Sequence, residues 1–263
     1  MHENPIGIFD SGVGGLSVLK ELRKHLPDES IHYLADSGNC PYGSKTKDEA
    51  LRLAKKSIEF LLKLDCKLIV IACNTVTAVA IDDFRSAYQI PFIGMEPALK
   101  PAALQTRTKK IGVLATENTF NGRLFKETFM KYAEGIEVFI QPGHGLVELV
   151  EQGNQDSAAA RDLLEQYLVP MLEKGVDTLV LGCTHYPFLT NVIREIAGDA
   201  VTIIDPSGAV AAHTRRVLAQ FDLLTRKTHE PCFNFYTTGD RARVQKHISD
   251  MINCPCTIQQ IKL

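Results

Sequence analysis

Two cysteines close apolar runs and are followed at once by hydrogen-bonding residues: Leu68-Ile69-Val70-Ile71-Ala72-Cys73-Asn74-Thr75 and Thr178-Leu179-Val180-Leu181-Gly182-Cys183-Thr184-His185. A lone cysteine in such a place is most simply a small core hydrophobe. Two in matched contexts point to chemistry. A strand end opens into a cleft, and the N–H groups of the turn that follows stabilise a thiolate. An ordinary thiol titrates near about 8.5, so a modest downward shift makes it a base usable at neutral pH. His185 lies two residues beyond Cys183 and is placed to tune the proton affinity of that thiol.

Three further groups deserve weighing. Asp10-Ser11-Gly12-Val13-Gly14-Gly15 leaves a first strand and enters a helix; its glycines let backbone amides approach an anion, and Ser11 adds a hydroxyl donor. A dinucleotide fingerprint fits poorly there, although Asp36 stands where a ribose-binding acid would. The third glycine of the pattern falls at Ser17, and Asp10 would repel a pyrophosphate. Asp36-Ser37-Gly38-Asn39-Cys40-Pro41-Tyr42-Gly43-Ser44 is dense in turn-forming and polar residues and follows a second strand, as a binding loop would. Glu151 ends an apolar stretch. A zinc site from Cys73, Cys183, His185 and Asp10 is conceivable chemically, but zinc sites draw ligands from tight local motifs that this spacing lacks. Cys232, Cys254 and Cys256 read as structural, on a C-terminal strand and its approach.

These residues need a scaffold of strands whose ends converge. Ile6–Phe9, Ile31–Leu34, Leu68–Ala72, Lys110–Leu114, Ile136–Ile140, Thr178–Leu181 and Thr202–Ile204 read as buried strands. Helical spacing lies between them, as in Leu16–Leu26, where Leu16, Leu19, Leu22 and Leu26 share a face, and in Asp48–Leu64, with Leu51, Ala54, Ile58, Leu61 and Leu62. Such alternation predicts an α/β fold with mainly parallel sheets and chemistry at the carboxyl ends of the strands. Ile6-Gly7-Ile8-Phe9 is echoed by Ile111-Gly112-Val113-Leu114, and the Cys73 run by the Cys183 run. Two similar α/β lobes facing a shared cleft would set the thiols opposite each other. The expected division is residues 1–97 with 209–263 as a first lobe, carrying Asp10 and Cys73, and 98–208 as a second, carrying Cys183 and His185. The chain would cross near Pro97–Pro101 and return near Ser207.

Composition narrows the function classes. A chain of 263 residues suits two domains, and 45% hydrophobic with 23% charged residues is the range of folded globular proteins. A formal charge of −2 gives no attraction to nucleic acid or anionic membrane. The apolar runs are far too short to span a bilayer, and the first residues do not read as a secretory signal. Seven cysteines without a C-x-x-C pair suggest a reduced, cytoplasmic chain with no disulfide framework.

Taken together, Gly7-Ile8-Phe9-Asp10-Ser11-Gly12-Val13-Gly14-Gly15-Leu16, Pro41-Tyr42-Gly43, Ala72-Cys73-Asn74-Thr75 and Gly182-Cys183-Thr184-His185-Tyr186-Pro187 resemble, in order and separation, the motifs of bacterial glutamate racemases, within the aspartate/glutamate racemase superfamily. The resemblance implies two α/β lobes closing on free glutamate without pyridoxal phosphate or metal, and a role in supplying D-glutamate for peptidoglycan. It implies that Cys73 deprotonates the D enantiomer and Cys183 the L enantiomer, with Asp10 assisting the first and His185 the second. Glu151, in Leu149-Val150-Glu151-Gln152-Gly153, matches the family's acid motif with one change. Asp10, Ser11, Tyr42, Gly43, Asn74, Thr75, Thr184 and His185 would bind substrate, with Thr116 a weaker candidate on the same side. Cys40 has no counterpart in the motif and no assigned role. The partner is then a small molecule, with a homodimer left open. Racemisation of another acidic amino acid such as aspartate, or amino-acid binding without catalysis, are the rival functions.

Overall fold

The computed structural model describes residues 2–226, 230–252, 256 and 258–263; Cys254 lies outside these. Its strands are β1 (Ile6–Asp10), β2 (Ile31–Ala35), β3 (Leu68–Ile71), β4 (Phe92–Ile93), β5 (Lys110–Ala115), β6 (Glu137–Pro142), β7 (Thr178–Gly182), β8 (Thr202–Ile204), β9 (Phe233–Thr237) and β10 (Ile258–Gln260). The α-helices are α1 (Leu16–His25), α2 (Lys47–Lys63), α3 (Asn74–Ala87), α4 (Leu99–Gln105), α5 (Glu117–Asn121), α6 (Arg123–Tyr132), α7 (Leu146–Glu151), α8 (Ala158–Glu173), α9 (Thr190–Ala197), α10 (Ser207–Gln220) and α11 (Arg241–Ile252).

Among the described residues the strands build two sheets, in the orders β10-β9-β2-β1-β3-β4 and β6-β5-β7-β8. Every pairing is parallel, for example Ile8 with Tyr33 and Val70, or Val113 with Ile140 and Val180. The chain leaves the larger sheet after β4, completes the smaller one with β5 to β8, and returns through α10, which packs on α1. Strands β9 and β10 then extend the larger sheet beyond β2.

The inner strands are apolar throughout because helices cover both faces of a parallel sheet. Residues of β1, β3 and β7 are all buried. The expected buried strand at Ile136–Ile140 is corrected: β6 begins at Glu137, runs to Pro142 and is half-exposed, with Glu137 and Ile140 facing solvent. It is an edge strand with one neighbour, and so less fully covered. The opposite edge strand, β8, is likewise only half-buried. Helix α2 starts at Lys47 because the Thr46 hydroxyl accepts the Glu49 N–H at 3.3 Å, with Asp48 and Glu49 suited to the helix N-terminus. Its buried stripe runs through Ala50, Leu53, Ala54, Ile58 and Leu61; Leu51 and Leu62 lie at its margins.

Candidate active site

In both sheets the strand bearing the thiol lies next to the strand that opens that half of the fold, β3 beside β1 and β7 beside β5. Cys73 follows β3 and occupies the N-cap of α3, with no side-chain capping bond. Cys183 follows β7 directly and precedes the short 3-10 turn Tyr186–Leu189. The two thiols line one cavity together with Ser11, Tyr42, Gly43, Asn74, Thr75, Thr116, Thr184 and His185, as well as Pro41 and Val147. Its volume is about 10 Å³, enough for about one water. Cys73 is 5% and Cys183 7% exposed, so this is a closed cleft, and a dicarboxylate enters only when the walls part.

Glycines set how closely the walls meet. A Cβ on Gly14 would stand 2.5 Å from His185 Nδ1, and one on Gly12 1.9 Å from Glu151 Oε1. The amides of this loop are engaged by the protein's own carboxylates. Val13 N–H donates to Glu151 Oε1 at 2.7 Å, and Gly15 N–H to Asp10 Oδ2 at 2.7 Å. At Ser17, where a nucleotide fingerprint would need glycine, the hydroxyl instead donates to the Gly14 carbonyl at 2.9 Å, with the Thr184 carbonyl 3.3 Å away. Across the cleft the Thr75 and Thr116 hydroxyls bond at 2.9 Å, and Asn118 Nδ2 donates to the Lys45 carbonyl at 2.9 Å.

On the Cys73 side, the sulfur lies 3.4 Å from Ser11 Oγ. Burial pushes this thiol up to about 12, with the Asp10 charge adding to the effect and the Ser11 hydroxyl and Val76 N–H opposing it. Asp10 is fully buried and does not reach the cavity wall. Burial raises its carboxyl to about 6 against the pull of His185 and the Gly15 N–H, and its Oδ1 has no hydrogen-bond partner among the described residues.

On the Cys183 side, the sulfur lies 3.8 Å from His185 Nδ1, and His185 Nε2 lies 2.6 Å from Glu151 Oε1. Burial disfavours the imidazolium, but the Cys183 and Cys40 sulfurs and the Glu151 carboxylate outweigh it and hold His185 well above its ordinary value. Glu151 shows the converse. Burial raises it, but the bonds from His185 and the Val13 N–H leave it below its ordinary value. An anionic Glu151 therefore faces a cationic His185. Glu151 stands behind the histidine and does not line the cavity.

The remaining sequence candidates are also placed. Tyr42 lines the cavity, but its hydroxyl is turned away and donates to Asp36 Oδ2 at 2.5 Å. Asp36 also accepts from the Asn39 amide at 3.0 Å and from the Thr238 hydroxyl, and so holds its own loop together. Cys232 is exposed just before β9, and Cys256 is half-buried near β10. Pro41 and Val147 were not anticipated in the cavity wall. Val147 precedes Glu151 by one turn of α7, so helical spacing from that acid would have pointed to it. The zinc set that the spacing argued against is not a group with metal-ligand geometry; among the described residues that group is Cys40, Glu151 and His185.

Two parallel α/β layers that each deliver a strand-end thiol to one closed cavity define a class of protein built for acid–base chemistry on two faces of a small molecule. The chain belongs to the Asp/Glu/Hydantoin racemase family, which it matches over residues 15–214. It is 47% identical to a glutamate racemase of Herpetosiphon aurantiacus over 94% of this chain and 97% of that protein. A glutamate racemase isoform from Bacillus anthracis superposes with a TM-score of 0.91 at 31% identity, covering 100% of this chain and 99% of that one. The Francisella tularensis glutamate racemase, solved in complex with D-glutamate, gives 0.86 at 30% identity, covering 100% and 98%.

Proposed function

We propose that this protein interconverts L- and D-glutamate by proton transfer between two thiols, without a cofactor, and supplies D-glutamate for peptidoglycan in the cytoplasm. The observation that carries the reading is the meeting of Cys73 and Cys183 in one cavity from equivalent ends of two sheets. The high identity to glutamate racemases over nearly the whole chain favours glutamate over other acidic amino acids. The working division is 1–97 with 209–263 against 98–208, with the cleft between.

A base on one face would return the proton to the face it left; two opposed bases invert the centre in one passage. In the L-to-D direction, Cys183 as thiolate takes the α-proton and Cys73 as thiol donates its own to the opposite face. The reverse direction exchanges these roles. The closed cavity excludes water, which strengthens the interactions that stabilise carbanion-like charge beside the α-carboxylate. Ser11, Asn74, Thr75, Thr116, Thr184 and the Tyr42-Gly43 segment supply polar contacts to the substrate. Asp10 acts on the Cys73 side and His185 on the Cys183 side. Glu151 touches no substrate and is a positioning residue that fixes the imidazole.

The test is isotopic. In D₂O, with metal-free and cofactor-free protein, circular dichroism should follow L-glutamate to the racemate. Solvent deuterium should enter the product enantiomer, while recovered substrate gains little early label. Label entering substrate as fast as product forms would indicate one exchanging base. Turnover of L-aspartate in place of L-glutamate, or tight binding without isomerisation, would establish a rival function. Replacing His185 should disturb the two directions unequally in kcat and KM, while equal stability of the free enantiomers keeps kcat/KM balanced.

A further inference from the structure

We propose that Cys40, Glu151 and His185 form a binding site for a soft divalent cation, zinc above all, and that its occupancy switches the enzyme off from behind the substrate cavity. The sulfur of Cys40, a carboxylate oxygen of Glu151 and a ring nitrogen of His185 all lie within 4.8 Å of one another. Around tetrahedral zinc, with ligand bonds of about 2.0–2.3 Å, donors stand roughly 3.4–3.6 Å apart. The ring nitrogen and carboxylate oxygen, now 2.6 Å apart, have to separate to that spacing as the metal enters. One thiolate, one imidazole and one carboxylate are ligands zinc accepts, and three protein ligands leave a fourth position for water.

A second observation supplies the route. A second cavity, of about 150 Å³, is lined by Cys40 and Glu151, with Ser37, Glu148, Gln152 and Arg243 around it, and shares Pro41 and Val147 with the wall of the substrate cavity. Two of the three donors are thus reached from this second cavity, and Glu148 and Asp240 add carboxylates to its lining. His185 lines the substrate cavity as well, so the two sites share one imidazole. Coordination at Nε2 replaces the 2.6 Å bond to Glu151 and leaves a neutral, metal-bound imidazole facing Cys183 in place of the imidazolium. The Cys40 thiol proton and the Nε2 proton of the His185 imidazolium are both released to solvent as the metal binds.

Only the switching part rests on reading the cavity as a racemase site, so binding is measured separately. Cobalt(II), titrated as a spectroscopic substitute for zinc into the metal-free protein, should give a sulfur-to-cobalt charge-transfer band. Cys40→Ser and Cys40→Ala should abolish it, whereas Cys232→Ser should retain it. In the activity arm, zinc should inhibit the wild type in a way that saturating glutamate does not relieve, and chelation should restore the rate. Both Cys40 variants should need at least about tenfold more zinc, since loss of even an outer partner of a zinc ligand weakens binding 10–100-fold. A band that survives in both Cys40 variants, or zinc inhibition that is equal in them and relieved by glutamate, places the metal on Cys73 and Cys183 and overturns the proposal. Absence of any cobalt or zinc binding overturns it too. A protein that binds cobalt through Cys40 but racemises nothing retains the site and refutes the racemase reading instead.

Discussion

The β3 and β7 halves of the cleft share a plan and differ in how they treat charge. On the β3 side, Cys73 sits beside a hydroxyl and a carboxyl that burial draws toward its neutral form. On the β7 side, Cys183 sits beside an imidazolium backed by an anionic carboxylate. In the closed cleft Cys73 therefore carries its proton, which suits it to donate first, in the L-to-D direction of the proposed mechanism. The contrast is reversed at the far ends of these strands. Lys67, just before β3, forms a buried ion pair with Glu29 at 2.6 Å. Asp177, just before β7, is held by the Thr106 hydroxyl at 2.6 Å and by the N–H groups of Arg107 and Thr108 at 2.7 and 2.9 Å. A repeated scaffold fixes where the thiols stand, while the residues around each strand set the charge that each thiol meets.

The largest effect should come from removing either thiol. Cys73→Ala and Cys183→Ala should each reduce racemisation by at least about 10²–10⁴-fold, the contribution of a positioned acid–base group, while the fold survives. Polarimetry beside thermal melts measures both, and a variant with near-normal turnover would make that cysteine structural and end the equivalence of the two sides.

Next in size is the anchor of β3. Lys67→Met removes the cation from Glu29 and leaves the buried carboxylate with its Thr225 hydrogen bonds alone, which should destabilise the protein by about 3–5 kcal/mol, with the turnover of the remaining folded molecules unchanged. Urea melts paired with active-site titration decide it; a loss of turnover per folded molecule would mean that the anchor also positions Cys73.

Asp10→Asn should separate stability from function. The folded carboxyl, at about 6 against an ordinary 3.8, holds its proton more tightly than the unfolded one. Its contribution to stability is thus full below 3.8 and is lost as pH rises through 6. Above pH 6 the buried charge costs on the order of 3 kcal/mol. The amide variant should therefore gain up to about that much over the wild type at pH 8, gain far less at pH 4, and racemise more slowly. A gain independent of pH would show that the buried charge is not the cause.

Asp177→Asn should give the opposite sign and a smaller size. Burial raises this carboxyl, but the Thr106 hydroxyl and the two N–H groups outweigh it and hold it at about 2. Its contribution is present above the ordinary 3.8 and lost as pH falls toward 2. The variant should lose about 1–3 kcal/mol at neutral pH, and the loss should shrink in acid. Chemical denaturation at pH 7 and pH 3 checks this; an equal loss at both would leave hydrogen-bond geometry, not charge, as the source.

Much of the site was legible because strand ends carry their own signature. Leu68–Ala72 and Thr178–Leu181 are apolar without alternation, and the polar residue types that follow mark the turn, so Cys73 and Cys183 fell where expected. Strand β4, two residues long, gave no periodic signal, and the exposure of β6 depends on neighbours that its own residues do not specify. Gly12 and Gly14 looked like an anion cradle; only the assembled lobes show that their missing side chains admit Glu151 and His185.

The sequence by itself determined the alternation of strand and helix, the doubled pattern and the identity of the two thiols, because periodicity and turn chemistry act over a few neighbouring residues. The tertiary structure decided which charges meet. Glu151 bonds across 138 positions to Val13 and across 34 to His185, and Cys40 joins that pair through a loop. Electrostatic environment depends on distance in space and on the exclusion of water, and neither is encoded in local spacing. The protonation of Cys73, Asp10 and His185, and with it the division of labour proposed for the two thiols, therefore emerges only when the two sheets close on one another.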